Sequence, residues 1–169
     1  MEFAWKDTLH GDYFYSNNMH LEYYSVLYNL GVIYSLMGRG VDIMSPDCEE
    51  AKHKDAIKCF QYAAWIFDKI KAEITNNLTH KEISPDLSEN NLTFNSSLCL
   101  AYAQIYVLEL AAKKDMDNSL QAQLCRGVFE LMTTTYNIAK DSMAKAFNDE
   151  TRLYLNNRRF FYYGLCYFK

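Results

Sequence analysis

Proline and glycine are scarce here, two and six among 169 residues. Tight turns depend on them at defined positions, so an all-β chain of many short hairpins is excluded and long uninterrupted helices are expected. Cysteine is present without pattern. Cys48, Cys59, Cys99, Cys125 and Cys166 stand far apart with no C-x-x-C pair. Such spacing suits neither a disulfide framework nor a zinc site, and it reads as small apolar packers in a reducing compartment. Net positive charge is also missing. At −4, with a pI near 5.5, the chain has no electrostatic footprint for nucleic acid, and anionic lipid would repel it. No apolar run reaches bilayer length, and the opening residues show no signal-peptide pattern, so a cytoplasmic protein is expected. The sequons at Asn77, Asn91 and Asn95 then read as products of an Asn-rich sequence.

Chemical motifs are lacking too. There is no G-x-S-x-G, Walker loop, dinucleotide fingerprint or H-E-x-x-H. His10, His20, His53 and His80 are dispersed in or beside loops, none with a second ligand four residues on, and they read as solvated or capping. The acidic pair Glu49 and Glu50 reads as a helix start, where carboxylates suit the helix dipole. No catalytic residue, metal or cofactor is assigned, and an enzyme is not expected.

What the chain does hold is apolar and helical in period. Half of it is hydrophobic and 15% aromatic, a globular composition long enough to bury a core. Five helices are expected. The first runs from about His20 to Met37, with Tyr23, Val26, Leu27, Leu30, Tyr34 and Met37 as its apolar stripe and Gly38 and Gly40 ending it through the left-handed conformation glycine allows. A polar loop through Ser45-Pro46-Asp47 leads to the second, about Glu49 to Asn76, whose stripe is Ala56, Cys59, Phe60, Ala63, Ile66, Phe67 and Ile70. Ser84 before Pro85 is a start signal, a hydroxyl to cap and then a proline needing no donor. The third helix covers about Asp86 to Lys113, with Leu92, Cys99, Ala103, Tyr106 and Leu110 on one face. A fourth spans about Asp117 to Phe147, with Thr133-Thr134-Thr135 as a place to break. The last, about Asp149 to Lys169, carries Phe160, Phe161, Tyr162, Tyr163, Tyr167 and Phe168. Sequential helices on short connectors give an all-α fold of antiparallel hairpins. Leu30-Gly31, Tyr34 and Gly38, then Ala56, Phe60 and Ala63, have the small-and-large pattern of a tetratricopeptide hairpin, although the linker exceeds the strict repeat.

Leu120 and Leu124 lie four apart among Asn118, Ser119, Gln121 and Gln123, so they share a helix face. Either they continue the core stripe through Val128 and Leu131, or they form an exposed ridge that accepts an amphipathic partner helix. Spacing alone leaves both open.

Several segments together resemble one family. Trp5-Lys6-Asp7 is similar to the W-x-D opening motif of the Bro domain of ALIX-like and rhophilin-like adaptors. Leu21 through Gly31 (LEYYSVLYNLG) resembles that family's helix with a glutamate followed by V-L-F-N and a small residue. Ala56 through Phe67, with Phe60-Gln61-Tyr62-Ala63-Ala64 at its centre, resembles the next helix. Ile83-Ser84-Pro85-Asp86-Leu87 and Leu100-Ala101-Tyr102-Ala103-Gln104 resemble the D-I-S-P-D connector and the L-A-Q-A-Q helix. The likeness runs in order along nearly the whole chain. It implies the tetratricopeptide-like helical core of a Bro domain, with residues 1–169 as one partial domain. The family's N-terminal small sheet and C-terminal helical half are expected to lie outside it.

The resemblance also implies a function: a non-enzymatic, ESCRT-associated scaffold in endosomal sorting. Its partner would be the C-terminal amphipathic helix of the polymerising charged multivesicular body subunit of ESCRT-III, and association with endosomes would follow. Alignment to the family's hydrophobic patch implies Val107, Leu120 and Leu124 as its members, with Glu50 as the acidic neighbour and Asp117 as a second acid. Val107 is smaller than the aromatic often found there. Two other functions stay in view. A tetratricopeptide-like adaptor for an extended peptide would need a repeated Lys/Arg/Asn clamp, which the sequence lacks. A helical ligand-binding bundle would use the aromatic last helix as its pocket.

Overall fold

The structure, a computed structural model, describes residues 2–7, 9, 11–43, 45, 47–142 and 147–168, with the side chains of Ser142 and Phe168 excepted. His10 and Pro46, and the side chain of Phe168, therefore fall outside the described residues. The chain begins with β1 (Phe3–Lys6) and β2 (Tyr13–Ser16), an antiparallel hairpin that sets Phe3 opposite Ser16 and Lys6 opposite Tyr13. Five helices follow: α1 (Met19–Arg39), α2 (Glu50–Asn77), α3 (Glu89–Lys113), α4 (Asn118–Asn137) and α5 (Asp149–Phe168). The fold is thus mostly helical, as the sequence implies. The hairpin corrects the expectation that sheet structure lies wholly outside the chain. Its four-residue strands are too short for their alternation to register in a periodicity reading.

In α1 the buried residues are Leu21, Tyr24, Ser25, Tyr28, Gly31 and Gly38. The expected stripe is rotated away from the core, leaving Tyr23, Val26, Leu30 and Met37 exposed, with Leu27 and Tyr34 half-buried. The helix is apolar nearly all round, so period alone cannot choose a face. Close approach chooses it. A Cβ on Gly31 would stand 2.9 Å from Phe67 Cζ, and one on Gly38 would stand 2.8 Å from Phe60 Cζ. These two glycines let α2 lie directly on α1. Gly38 is therefore a packing residue inside the helix, and Gly40 caps it with φ −69 and not in the left-handed region.

Most of the expected stripes of α2 and α3 face inward. Ala56, Phe60, Ala63, Ile66, Phe67 and Ile70 are buried on α2, and Leu92, Cys99, Ala103 and Tyr106 on α3, while Cys59 and Leu110, expected on the same stripes, are only half-buried. Cys99 and Cys125 are buried in this packing, and desolvation pushes the Cys99 thiol up to about 11, which suits a packer and not a nucleophile. Ser84 does not cap α3. Its hydroxyl donates to Asp86 Oδ1 at 2.6 Å beside a 3-10 turn over Pro85–Leu87, and Ser88 caps α3 from the next position. The threonine run does not break α4. Thr134 and Thr135 hydroxyls donate back to the carbonyls of Glu130 and Leu131 at 3.2 and 2.9 Å, the helical way of satisfying them. A π-helical turn, Ile138–Ser142, follows instead.

α2 packs against α1 and α3, and α4 against α3 and α5. The odd-numbered helices also touch. Tyr106 Oη donates toward the carbonyls of Gly38 and Val41, both at 3.2 Å, and Tyr102 bonds Tyr154. The result is an array of antiparallel hairpins in two layers. One apolar cluster joins α1, α2 and the start of α3. A second runs from Phe60 through Tyr106, Val128 and Met132 to Tyr162.

Two of the segments that carry the family likeness meet in space. Trp5 Nε1 donates to Asp86 Oδ2 at 2.7 Å, so the hairpin is pinned to the connector before α3. Asp7, itself buried, accepts the Leu9 amide at 3.2 Å and shapes the hairpin turn, where Gly11 takes φ 78.

Candidate functional site

Val107 lies on α3, and Leu120 and Leu124 lie on α4, across a four-residue turn. The turn is built from specific side chains. Asp115 adopts φ 49, a conformation Asp tolerates better than most residues. Asp117 caps α4, its Oδ2 accepting from the amides of Ser119 at 2.9 Å and Leu120 at 3.4 Å. The buried Gln121 donates to the Met116 carbonyl at 2.7 Å. This clamp fixes the antiparallel register of the pair.

Register then aligns the three apolar residues. Gly127 on α4 faces Gln104 on α3, a Cβ there falling 3.1 Å from Gln104 Nε2. Val107 is one turn from that point on α3 and Leu124 one turn from it on α4, both toward the connecting turn, so they stand level. Leu120 is one turn beyond. Leu100, one turn to the other side on α3, is 37% exposed, as is Leu120. Val107 and Leu124 are half-buried, and Leu124 packs on the second apolar cluster. The two readings of the leucine pair therefore divide. Leu120 stands out to solvent, and Leu124 roots the same ridge in the core. Leu100 on α3 and Met116 in the connecting turn are exposed, and neither was singled out from the sequence. The signal for Leu100 was its seven-residue spacing from Val107.

Glu50 opens α2, where its charge faces the positive helix end. It is not free. Lys114 Nζ lies 2.8 Å and Lys54 Nζ 2.7 Å from Oε1, and hydrogen bonds from Lys114 and then Lys54 hold its carboxyl down to about 2. Lys114 caps α3 two turns beyond Val107, so the ion pair sits at one end of the furrow. Lys113 Nζ also reaches across, to the Ser45 carbonyl at 2.9 Å.

His53 overturns its sequence reading. It is fully buried, with Nδ1 3.3 Å from Cys48 Sγ, while His20 and His80 are exposed. Among the described residues no three His, Cys, Asp or Glu side chains group as metal ligands, and no helix is long and apolar enough to cross a membrane. Among the described side chains of the aromatic series on α5, Tyr162 alone is buried. Phe160, Phe161, Tyr163 and Tyr167 are exposed. An open groove of about 480 Å³ lies between α4 and α5, lined by Ala122, Arg126, Phe129, Tyr163, Cys166 and Tyr167.

Helices packed in sequence, α1 on α2, α2 on α3, α3 on α4 and α4 on α5, define a mostly helical domain. The chain belongs to the BRO1-like domain family, whose model matches residues 1–169. Two solved structures share the fold. One is a complex of the ALIX BRO1 domain with CHMP4C, at a TM-score of 0.86 and 20% identity, covering 98% of this chain and 46% of that one. The other is ALIX in complex with the SIVmac239 PYKEVTEDL late domain, at 0.82 and 20%, covering 94% of this chain and 23% of that one. This chain thus spans less than half the length of either. No curated protein matches it in sequence.

Proposed function

We propose that the chain is a non-enzymatic scaffold of endosomal sorting, working in the cytoplasm and on endosomes. It receives the C-terminal amphipathic helix of an ESCRT-III charged multivesicular body subunit in the furrow between α3 and α4. The observation that supports this reading is that Leu100 and Leu120 are exposed and Val107 and Leu124 half-buried on the two packed helices α3 and α4, with the Glu50–Lys114 ion pair at the end of α3. An amphipathic helix offers a matching line of apolar side chains at three- and four-residue spacing. The complex of the similar ALIX domain with CHMP4C supports an ESCRT-III subunit as the partner. Lys114 and Lys54 both lie on Glu50 Oε1, so a basic side chain of that helix would approach the other oxygen of a carboxylate whose charge is already partly neutralised. Asp117 keeps its capping bonds while its outer lone pairs face solvent.

Burying one leucine contributes roughly 1.5–3 kcal/mol, and about 1.4 kcal/mol is one decade of affinity. Leu120→Asp, at the exposed position, is therefore expected to weaken binding of a labelled ESCRT-III C-terminal helix peptide more than tenfold with its helical circular dichroism unchanged. The Leu120→Asp/Leu124→Asp pair abolishes it, although its Leu124 component also disturbs the core. A folded Leu120→Asp protein that binds as the wild type does would remove the furrow from consideration.

A further inference from the structure

Cys48 and His53 meet at the start of α2. Cys48 stands two residues before the helix, and the first turn carries His53 back over it, placing Nδ1 3.3 Å from Sγ. The loop fixes the sulfur. The Cys48 amide donates to the Ser45 carbonyl at 3.1 Å, and the Asp47 amide donates to Ser45 Oγ at 3.3 Å. Lys113 holds the same carbonyl from α3. The imidazole is fully buried, and its Nε2 has no hydrogen-bond partner. A buried polar atom left unpaired costs stability, and natural interiors keep few of them. Among the described residues the thiol is the ring's one hydrogen-bond partner, so no other group ties up the proton that the ring gains or gives.

The other thiols stand differently. Cys99 and Cys125 are shut off from solvent. Cys59 and Cys166 are half-buried, as Cys48 is, but neither faces a base. Burial and the Asp55 charge push the Cys59 thiol up. Burial pushes the Cys166 thiol up too, and it donates to the Tyr162 carbonyl at 3.1 Å. Cys48 instead opens on a notch of about 390 Å³ lined by Gly40, Val41, Asp42, Asp47 and Lys52.

We propose that Cys48 is an oxidation site, a thiol that small uncharged hydroperoxides convert to the sulfenic acid with His53 as general base. Nδ1 takes the thiol proton, and the thiolate attacks one oxygen of the peroxide. The S–O bond forms as the O–O bond breaks. The departing hydroxide takes the proton back from His53 and leaves as water. Sulfur is oxidised, the peroxide is reduced, and the imidazole ends neutral as it began. The sulfenic acid is the reversible rung of cysteine oxidation. Charge selects the oxidant: Asp42 and Asp47 at the notch repel anions, a disulfide bearing carboxylates among them, and leave a neutral hydroperoxide free to enter.

Hydrogen peroxide on the reduced 169-residue chain tests this, with dimedone present to trap sulfenic acid and peptide-level mass spectrometry to place the adduct. Cys48 is expected to gain the adduct at least about tenfold faster than Cys59 or Cys166, within what a positioned base contributes. Equal rates at the three half-buried thiols overturn the proposal. His53→Gln separates chemistry from packing by the sign of its effect. Loss of the base slows Cys48 to the rate of Cys59, whereas loosening of the loop around a purely structural histidine exposes the sulfur and speeds it. A Cys48 that reacts as fast as in the wild type, or faster, overturns the role of His53. Wild type in urea covers the case in which His53→Gln does not fold. There the advantage of Cys48 should vanish, and an advantage that survives unfolding belongs to the local sequence and overturns the proposal.

Discussion

Gly38 and Phe60 hold the first two helices together by leaving no room between them: a Cβ on the glycine would lie 2.8 Å from Cζ of a ring that is itself fully buried. The ring cannot retreat without disturbing Tyr106 and Tyr102, whose centroids lie 5.1 and 5.5 Å away. Gly38→Ala is therefore expected to destabilise the fold by about 1–3 kcal/mol, the usual cost of overpacking, despite the better helix propensity of alanine. Gly31→Ala, against Phe67, should behave alike. Gly164→Ala is the control. A Cβ there meets nothing within 4 Å, so removing glycine from a helix should stabilise by roughly 0.5–1 kcal/mol. Urea midpoints at constant m value measure all three.

The hairpin's attachment gives a second test. Trp5 donates to a carboxylate that is wholly buried, and Ser84 donates to its other oxygen. Trp5→Phe keeps most of the apolar contact with Tyr28, whose ring is 6.5 Å away, but removes a hydrogen bond to a charged group. A loss of about 1.5–3 kcal/mol is expected. Asp86→Ala should cost at least as much, because it strands both donors. If the two substitutions are combined, the total should fall short of the sum, since each removes the same bond. A double-mutant cycle by urea unfolding reads the shortfall directly.

How far the sequence carries these conclusions depends on the element. The inward stripe of α2 is legible in the sequence; that of α3 is legible only in part, because α3 is packed on two sides, by α2 and α4, and also buries Phe94, Ala101, Ile105 and Leu108 outside the expected stripe. That of α1 is not legible. Leu21, Tyr24 and Tyr28 compete with Tyr23, Val26 and Leu30 on hydrophobicity, and the decision falls to two glycines whose role is the absence of a side chain. The connector before α3 offers both Ser84-Pro85 and Ser88 as caps, and only the buried Asp86 settles which hydroxyl is occupied elsewhere. At the furrow, four-residue spacing places Leu120 and Leu124 on one face, but it carries no information on depth. That one is exposed and the other half-buried follows from how α4 leans on α3 at Gly127. Glu50 is recognisable as an acid near a helix start. Its two lysine partners come from a neighbour four residues along and from a residue 64 positions away, and the second is visible only in three dimensions.

Glu50 also makes stability depend on acid. Its carboxyl is depressed from 4.5 to about 2 by hydrogen bonds from Lys114 and Lys54. A depressed carboxyl favours the folded state above its unfolded value, and that contribution fades as pH falls from about 4.5 through about 2. Glu50→Gln should therefore lower stability slightly above about pH 4.5, the loss being small because the pair is exposed and screened, and the two proteins should converge as pH falls to about 2. Salt should mimic the substitution. Urea unfolding at stepped pH, with and without added salt, measures the difference between the two proteins.

Lys114 turns the same ion pair into a statement about binding. In the free protein it lies with Lys54 on Glu50 Oε1 and partly neutralises the carboxylate that a basic partner side chain would approach. Lys114→Ala removes one of the two neutralising charges and leaves Lys54, so affinity for a basic ESCRT-III helix peptide should rise by roughly a few-fold at most, as suits an exposed and screened charge. Glu50→Gln should lower it, and in the Glu50→Gln background Lys114→Ala should gain much less. This non-additivity is the decisive readout. A Lys114→Ala effect of the same size with and without the Glu50 carboxylate would mean that the lysine acts on the partner through general charge, and Glu50 would then have no place in the furrow's recognition of its ligand.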